Sequence, residues 1–177
     1  MRYTLPAIVL HWLIAILIVI AFIVGLTMAD MPLSPTRLKL FNYHKWLGVC
    51  ILGLVAARLL WRLAHRPPAY PASMSPLLQK LAHGGHHLLY LLMFAVPLSG
   101  YFYTLAAGFP VVLFGVLPLP VLIDPNPELK PLLKETHELL NWLMALVVAG
   151  HVAAAVKHRL IDKDGIMERM LPLKEKA

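Results

Sequence analysis

From Leu5 to Met28 the chain carries no Asp, Glu, Lys or Arg. About 20 apolar residues suffice to carry a helix across bilayer hydrocarbon. In lipid every backbone N–H and C=O must find its partner within the chain, so such a run crosses as a helix. It is too long for a signal-peptide core, and no small-residue cleavage site follows a strongly basic start, so it is expected to be retained. Three further runs follow. They are drawn as residues 43–63, 83–105 and 136–160, beside 5–28 for the first. The second has a charge-free centre from Trp46 to Ala57 and is closed by Arg58 and Arg62; the fourth is charge-free from Leu139 to Val156. Only 14% of residues are charged and 59% are hydrophobic, whereas a soluble domain is about a quarter charged. Disordered chains are poor in apolar residues, which excludes that class too. The expected fold is all-α: one membrane domain over residues 1–177, a transmembrane four-helix up-down bundle.

The connections have their own chemistry. Residues 66–76 hold four prolines and read as a loop. Between the last two spans, Ala106 to Leu129 is apolar but broken by Gly108, Pro110, Gly115, Pro118, Pro120, Pro125 and Pro127. Prolines this dense prevent a fifth spanning helix. An outer loop over residues 106–135 is expected to lie as a cap on the membrane face. An even number of spans puts both termini on one side. That side, with its flanks, holds Arg2, Arg58, Arg62, Arg66, Lys80, Lys157, Arg159, Lys163, Arg169, Lys174 and Lys176; the other holds Arg37, Lys39, Lys45, Lys130 and Lys134. The asymmetry predicts cytoplasmic termini and accounts for the net charge of +7 without nucleic acid. Cys50, the single cysteine, sits in an apolar run and reads as a buried filler; no C-x-x-C-H marks covalent haem attachment.

The nine histidines equal Asp and Glu combined. Ionisable groups within spans are costly and mark function by default. At about 1.5 Å of rise per residue, each His has a depth. His11 and His151 match toward the side of the termini, and His44 and His137 match toward the other. His137 and His151 are 14 residues apart, close to four turns, so they share a face about 21 Å apart along the axis. Imidazole is a good iron ligand, and haem takes ligands from facing helices of a bundle core. Two depth-matched pairs predict two haems, each closed by two His, which favours electron transfer over oxygen binding. A His-lined metal transporter is the competing reading, but such sites usually add carboxylates within the spans, and Glu138 lies only at an edge.

His11-Trp12, Tyr43-His44-Lys45 through Arg58-Leu59-Leu60-Trp61-Arg62, Leu81-Ala82-His83-Gly84-Gly85-His86, and Lys134-Glu135-Thr136-His137 with Gly150-His151 together resemble the bacterial cytochrome b561 family over nearly the whole chain. The resemblance implies a small four-span di-haem b protein of the inner membrane, multi-pass, embedded in the lipid bilayer. Its ligand positions map onto His11 and His151 for the inner haem b and onto His44 and His137 for the outer one. It also implies a superoxide oxidase activity that passes electrons from superoxide to ubiquinone. The alternative within the family is an electron-transfer subunit anchoring a partner dehydrogenase or hydrogenase to the quinone pool.

Quinone reduction consumes protons, which imidazoles relay near neutral pH. His158 and His86 are therefore expected on the quinone side, or else at haem propionates or headgroups. The chain has His87 beside His86, and a step of one residue turns a helical side chain by about 100°, so only one of them faces the core. Arg58 and Arg62 share a face; they pair with propionates or snorkel to headgroups. Lys134, Arg37 and Lys39 are expected to steer superoxide, a small anion, to the outer haem. His65, His83 and His87 receive no role.

Overall fold

The computed structural model describes residues 2–71 and 74–172. Lys174 and Lys176, counted above with the cytoplasmic charges, lie outside the described residues. Among the described residues, four helices are long and apolar enough to cross a membrane. They are α1 (Leu5–Ala29), α2 (Pro35–Ala64), α3 (Pro76–Ala106) and α4 (Leu129–Lys157). α1 packs on α2, α3 on α4, and α2 joins the two hairpins through α3. Ile14, Ile51 and Val55 form the buried centre, with Tyr90, Met93 and Phe94 packed against it. Elsewhere large apolar side chains such as Ile16, Val19, Ile23 and Leu146 stand more than half exposed. In water that surface would be a gross hydrophobic patch; on a spanning bundle it is the lipid face.

Three helices start earlier than their apolar runs. α2 begins at Pro35 rather than Tyr43, because the Ser34 side chain accepts from Arg37 N at 3.2 Å and Pro35 fills the first helical position. α3 begins at Pro76 rather than His83 by the same Ser-Pro device, Ser75 accepting from Leu78 N. Such caps stabilise a helix by about 1 kcal/mol. α4 begins at Leu129, so the loop expected over 106–135 is shorter, spanning 107–128. Asn126 Oδ1 accepts from the backbone N–H groups of Glu128 and Leu129. Pro131 falls in the first turn, where its missing N–H has no helical partner to lose. As a result His44 and His137 lie well inside helices rather than at their ends.

The 107–128 loop carries a small antiparallel hairpin, β1 (Val112–Leu113) with β2 (Leu117–Pro118). Phe114 and Gly115 turn it at positive φ. Trp46 Nε1 donates to Val112 O at 2.7 Å and Tyr101 OH to Pro120 O at 2.5 Å, tying the loop across the bundle. We call this the hairpin end. At the opposite, terminal end, α4 runs into a π-helical turn (His158–Asp162), and the chain folds back. Tyr3 N donates to Arg169 O, Trp12 Nε1 to Met170 O at 2.8 Å, the Arg2 guanidinium to Leu171 O, and the Arg169 guanidinium to Ala69 O at 2.6 Å.

Candidate functional site

Two pairs of imidazoles face each other across the bundle. His44 of α2 and His137 of α4 have ring centroids 6.1 Å apart with planes at 85°. His11 of α1 and His151 of α4 have centroids 6.2 Å apart with planes at 72°. Two nitrogens bound to opposite sides of one first-row metal ion stand about 4 Å apart, and each ring centre lies about 1 Å beyond its nitrogen, giving about 6 Å. Both pairs therefore have the separation that a bis-imidazole iron requires.

The surroundings of the His44–His137 pair also fit haem. His44 Nδ1 donates to Ala21 O at 3.0 Å and His137 Nδ1 to Val96 O at 3.0 Å. A neutral ring with its proton on Nδ1 keeps the Nε2 lone pair for a metal. Ser99 Oγ is 3.0 Å from His137 Nδ1 and itself donates to Val96 O. Both rings line a cavity of about 640 Å³, within the ~300–1,000 Å³ of cofactor-sized pockets. Leu52, Phe41 and Val111 supply apolar walls, and Arg37, Lys45 and Lys130 supply cations suited to haem carboxylates or a small anion.

Around His11 and His151 the arrangement is different. A third imidazole, His86 of α3, has its centroid 5.6 Å from that of His151. His86 is thus the inward member of the adjacent pair. His87 is exposed, stacks on His83 at 6.4 Å, and donates from Nδ1 to His83 O. Arg58 Nε donates to Tyr90 OH at 3.0 Å, and the Arg62 guanidinium lies 5.9 Å over the Tyr90 ring. Both arginines line a cleft of about 50 Å³ with Trp61 and His65, whose rings stack at 4.0 Å.

The remaining sequence candidates are dispersed. His158 opens the π-helical turn with Nδ1 at 2.6 Å from Asp164 Oδ2 and 3.2 Å from Asp162 Oδ2. Lys157 Nζ holds the same Asp162 carboxylate at 2.6 and 2.7 Å. Arg37 lines the large cavity while donating to Met28 O and Ala29 O. Lys39 is not among the cavity residues, and Lys134 stands outside it, paired with Glu138 at 2.5 Å. Lys45 and Lys130, which do line it, are the ones residue spacing could have singled out. Lys45 adjoins His44, and Lys130 precedes His137 by seven residues, two turns on one face.

Comparison with known proteins places the chain among relatives of one kind. The profile of the family described as Prokaryotic cytochrome b561 matches residues 2–173. The chain is 33% identical over 171 residues to cytochrome b561 homolog 2 of Escherichia coli (strain K12), covering 96% of this chain and 91% of that protein. It is 31% identical over 183 residues to a probable superoxide oxidase, CybB, of Yersinia pestis, covering 98% and 97%. Cytochrome b561 homolog 1 of Escherichia coli (strain K12) is 28% identical over 174 residues, with 97% of each covered.

Proposed function

The chain belongs to the prokaryotic cytochrome b561 family, whose members are haem b-binding membrane electron-transfer proteins, and from that premise we propose that it oxidises superoxide at the hairpin end and reduces ubiquinone at the terminal end. The observation that carries this reading is the pair of facing imidazole sets at two levels, with a cofactor-sized, cation-lined cavity opening onto His44 and His137 and only a small arginine-lined cleft at the terminal end. The relative described as a probable superoxide oxidase supports the choice of donor. Two superoxide ions each lose one electron to give dioxygen, and one ubiquinone gains two electrons and two protons.

His44 and His137 would hold one haem b, and His11 and His151 a second. Bound haem supplies one-electron redox chemistry at each level. Arg37, Lys45 and Lys130 raise the local concentration of a small anion inside the hairpin-end cavity. Lys39 and Lys134 add positive charge at the same end of the bundle. Lys134 does so weakly, because Glu138 offsets it. At the terminal end, His86 and His158 hold and pass the protons that the quinone consumes, with Asp164 orienting His158 through Nδ1. Arg58 and Arg62 offer guanidinium donors to carboxylates or headgroups there. On the positive-inside rule the hairpin end faces outward from a bacterial inner membrane and the termini are cytoplasmic. One domain over residues 1–177 then contains the whole path.

The test is ubiquinone reduction by the purified, haem-loaded chain in a superoxide-generating system. Superoxide-dependent ubiquinol formation, abolished by superoxide dismutase, is expected. A spectrally intact protein that forms no ubiquinol would defeat the oxidase reading and favour an electron-transfer subunit serving a dehydrogenase.

A further inference from the structure

The hairpin-end imidazoles are seated by one local device that occurs twice. In α1 the carbonyl of Ala21 accepts from His44 Nδ1, and Gly25 follows four residues later. A Cβ on Gly25 would lie 3.1 Å from His44 Cε1. In α3 the carbonyl of Val96 accepts from His137 Nδ1, and Gly100 again follows four residues later. A Cβ on Gly100 would lie 2.8 Å from His137 Cε1 and 3.1 Å from Nδ1. Residues i and i+4 stack on one face of a helix, about 6 Å apart. A ring that donates to carbonyl i therefore comes up beside residue i+4, and at Gly25 and Gly100 a Cβ would enter the ring's space.

The terminal end uses neither half of the device. Among the described residues, no hydrogen bond engages the ring of His11 or His151. A Cβ on Gly84, Gly85 or Gly150 would meet nothing within 4 Å. The absence of the device there argues against a general small-residue preference in these helices.

We propose that Gly25 and Gly100, each with the carbonyl one turn before it, are positioning residues that set the ring planes of His44 and His137. The proposal rests on the reading of those two imidazoles as haem ligands. The carbonyl fixes where Nδ1 sits; the glycine fixes how closely the ring lies against the helix. Together they hold the two planes at 85°. A methyl at Gly100 cannot be accommodated without moving His137, because a contact below 3.0 Å is not tolerated. A methyl at Gly25 needs a shift of only a few tenths of an ångström, which turns the His44 ring without expelling it.

The experiment compares full-length Gly100→Ala, Gly25→Ala, Gly53→Ala and His137→Ala in detergent. Haem per chain is measured, together with the low-spin ferric EPR signals, whose shape depends on the angle between the two imidazole planes. His137→Ala identifies the hairpin-end signal. If it leaves haem content and both signals untouched, the ligand reading itself fails. Gly100→Ala is expected to lose about half the haem, the hairpin-end share, while the terminal-end signal stays and shows the protein folded. Gly25→Ala is expected to keep both haems and shift only the hairpin-end signal. Gly53→Ala, with open space around its Cβ, should change nothing. Full haem and unshifted signals in both Gly100→Ala and Gly25→Ala would overturn the proposal. Should Gly100→Ala bind no haem at either end, Gly25→Ala decides alone: a shifted hairpin-end signal supports the proposal and an unshifted one overturns it.

Discussion

The His44–His137 and His11–His151 pairs have nearly the same ring separation, 6.1 and 6.2 Å, yet they are built from different materials. At the hairpin end each ring is pinned to a carbonyl of a neighbouring helix and faces a large cavity with three cations. At the terminal end the rings have no such anchor among the described residues. They sit beside a third imidazole and two arginines that crowd around Tyr90. The gap between facing rings follows from how far apart the helices pack. The orientation of each ring, and what can approach it, follows from local partners. A chain can therefore build two equal gaps and still give them different chemistry.

Removing a ligand should break the comparison most strongly. His44→Ala is expected to abolish the hairpin-end haem and leave the terminal-end spectrum intact, and His11→Ala to do the reverse; reduced-minus-oxidised spectra with haem quantitation decide it. Loss of both spectra in both variants would mean that the ends are not independent. Next comes the charge contrast. Lys45→Gln with Lys130→Gln should slow superoxide-dependent ubiquinone reduction by about tenfold and flatten its dependence on ionic strength. Lys134→Gln should change the rate less than about twofold, since Glu138 already offsets that charge outside the cavity.

A smaller effect is expected from His86→Asn, which should perturb the terminal-end spectrum and slow quinone reduction while sparing the hairpin-end signal. An altered hairpin-end signal would contradict its placement against His151. The smallest is Ser99→Ala. Its hydroxyl shares Val96 O with His137 Nδ1. One such hydrogen bond amounts to about 0.5–1 kcal/mol, so the hairpin-end midpoint should move by about 20–40 mV in a redox titration, with the terminal-end midpoint fixed.

Much of this is legible in the sequence alone. Charge-free runs bounded by prolines and basic residues specify four long apolar helices, because lipid leaves the backbone no other way to satisfy itself. The helical rise turns sequence distance into depth, so the 14 residues between His137 and His151 placed them on one face of α4 at two levels. The early starts of α2 and α3 were also visible in Ser34-Pro35 and Ser75-Pro76, but hydropathy alone passes over polar first turns.

What tertiary structure decided is the rotation of each helix against its neighbours. Depth along one axis follows from counting residues; azimuth between two axes follows only from packing. That is why His86 rather than His87 meets His151. It is also why Ala21 and Gly25 bear on His44, and Val96 and Gly100 on His137, across 23 and 41 residues from carbonyl to ring. No periodicity within one helix encodes such a contact. Each carbonyl becomes a partner for an imidazole only when a second helix brings the ring to it.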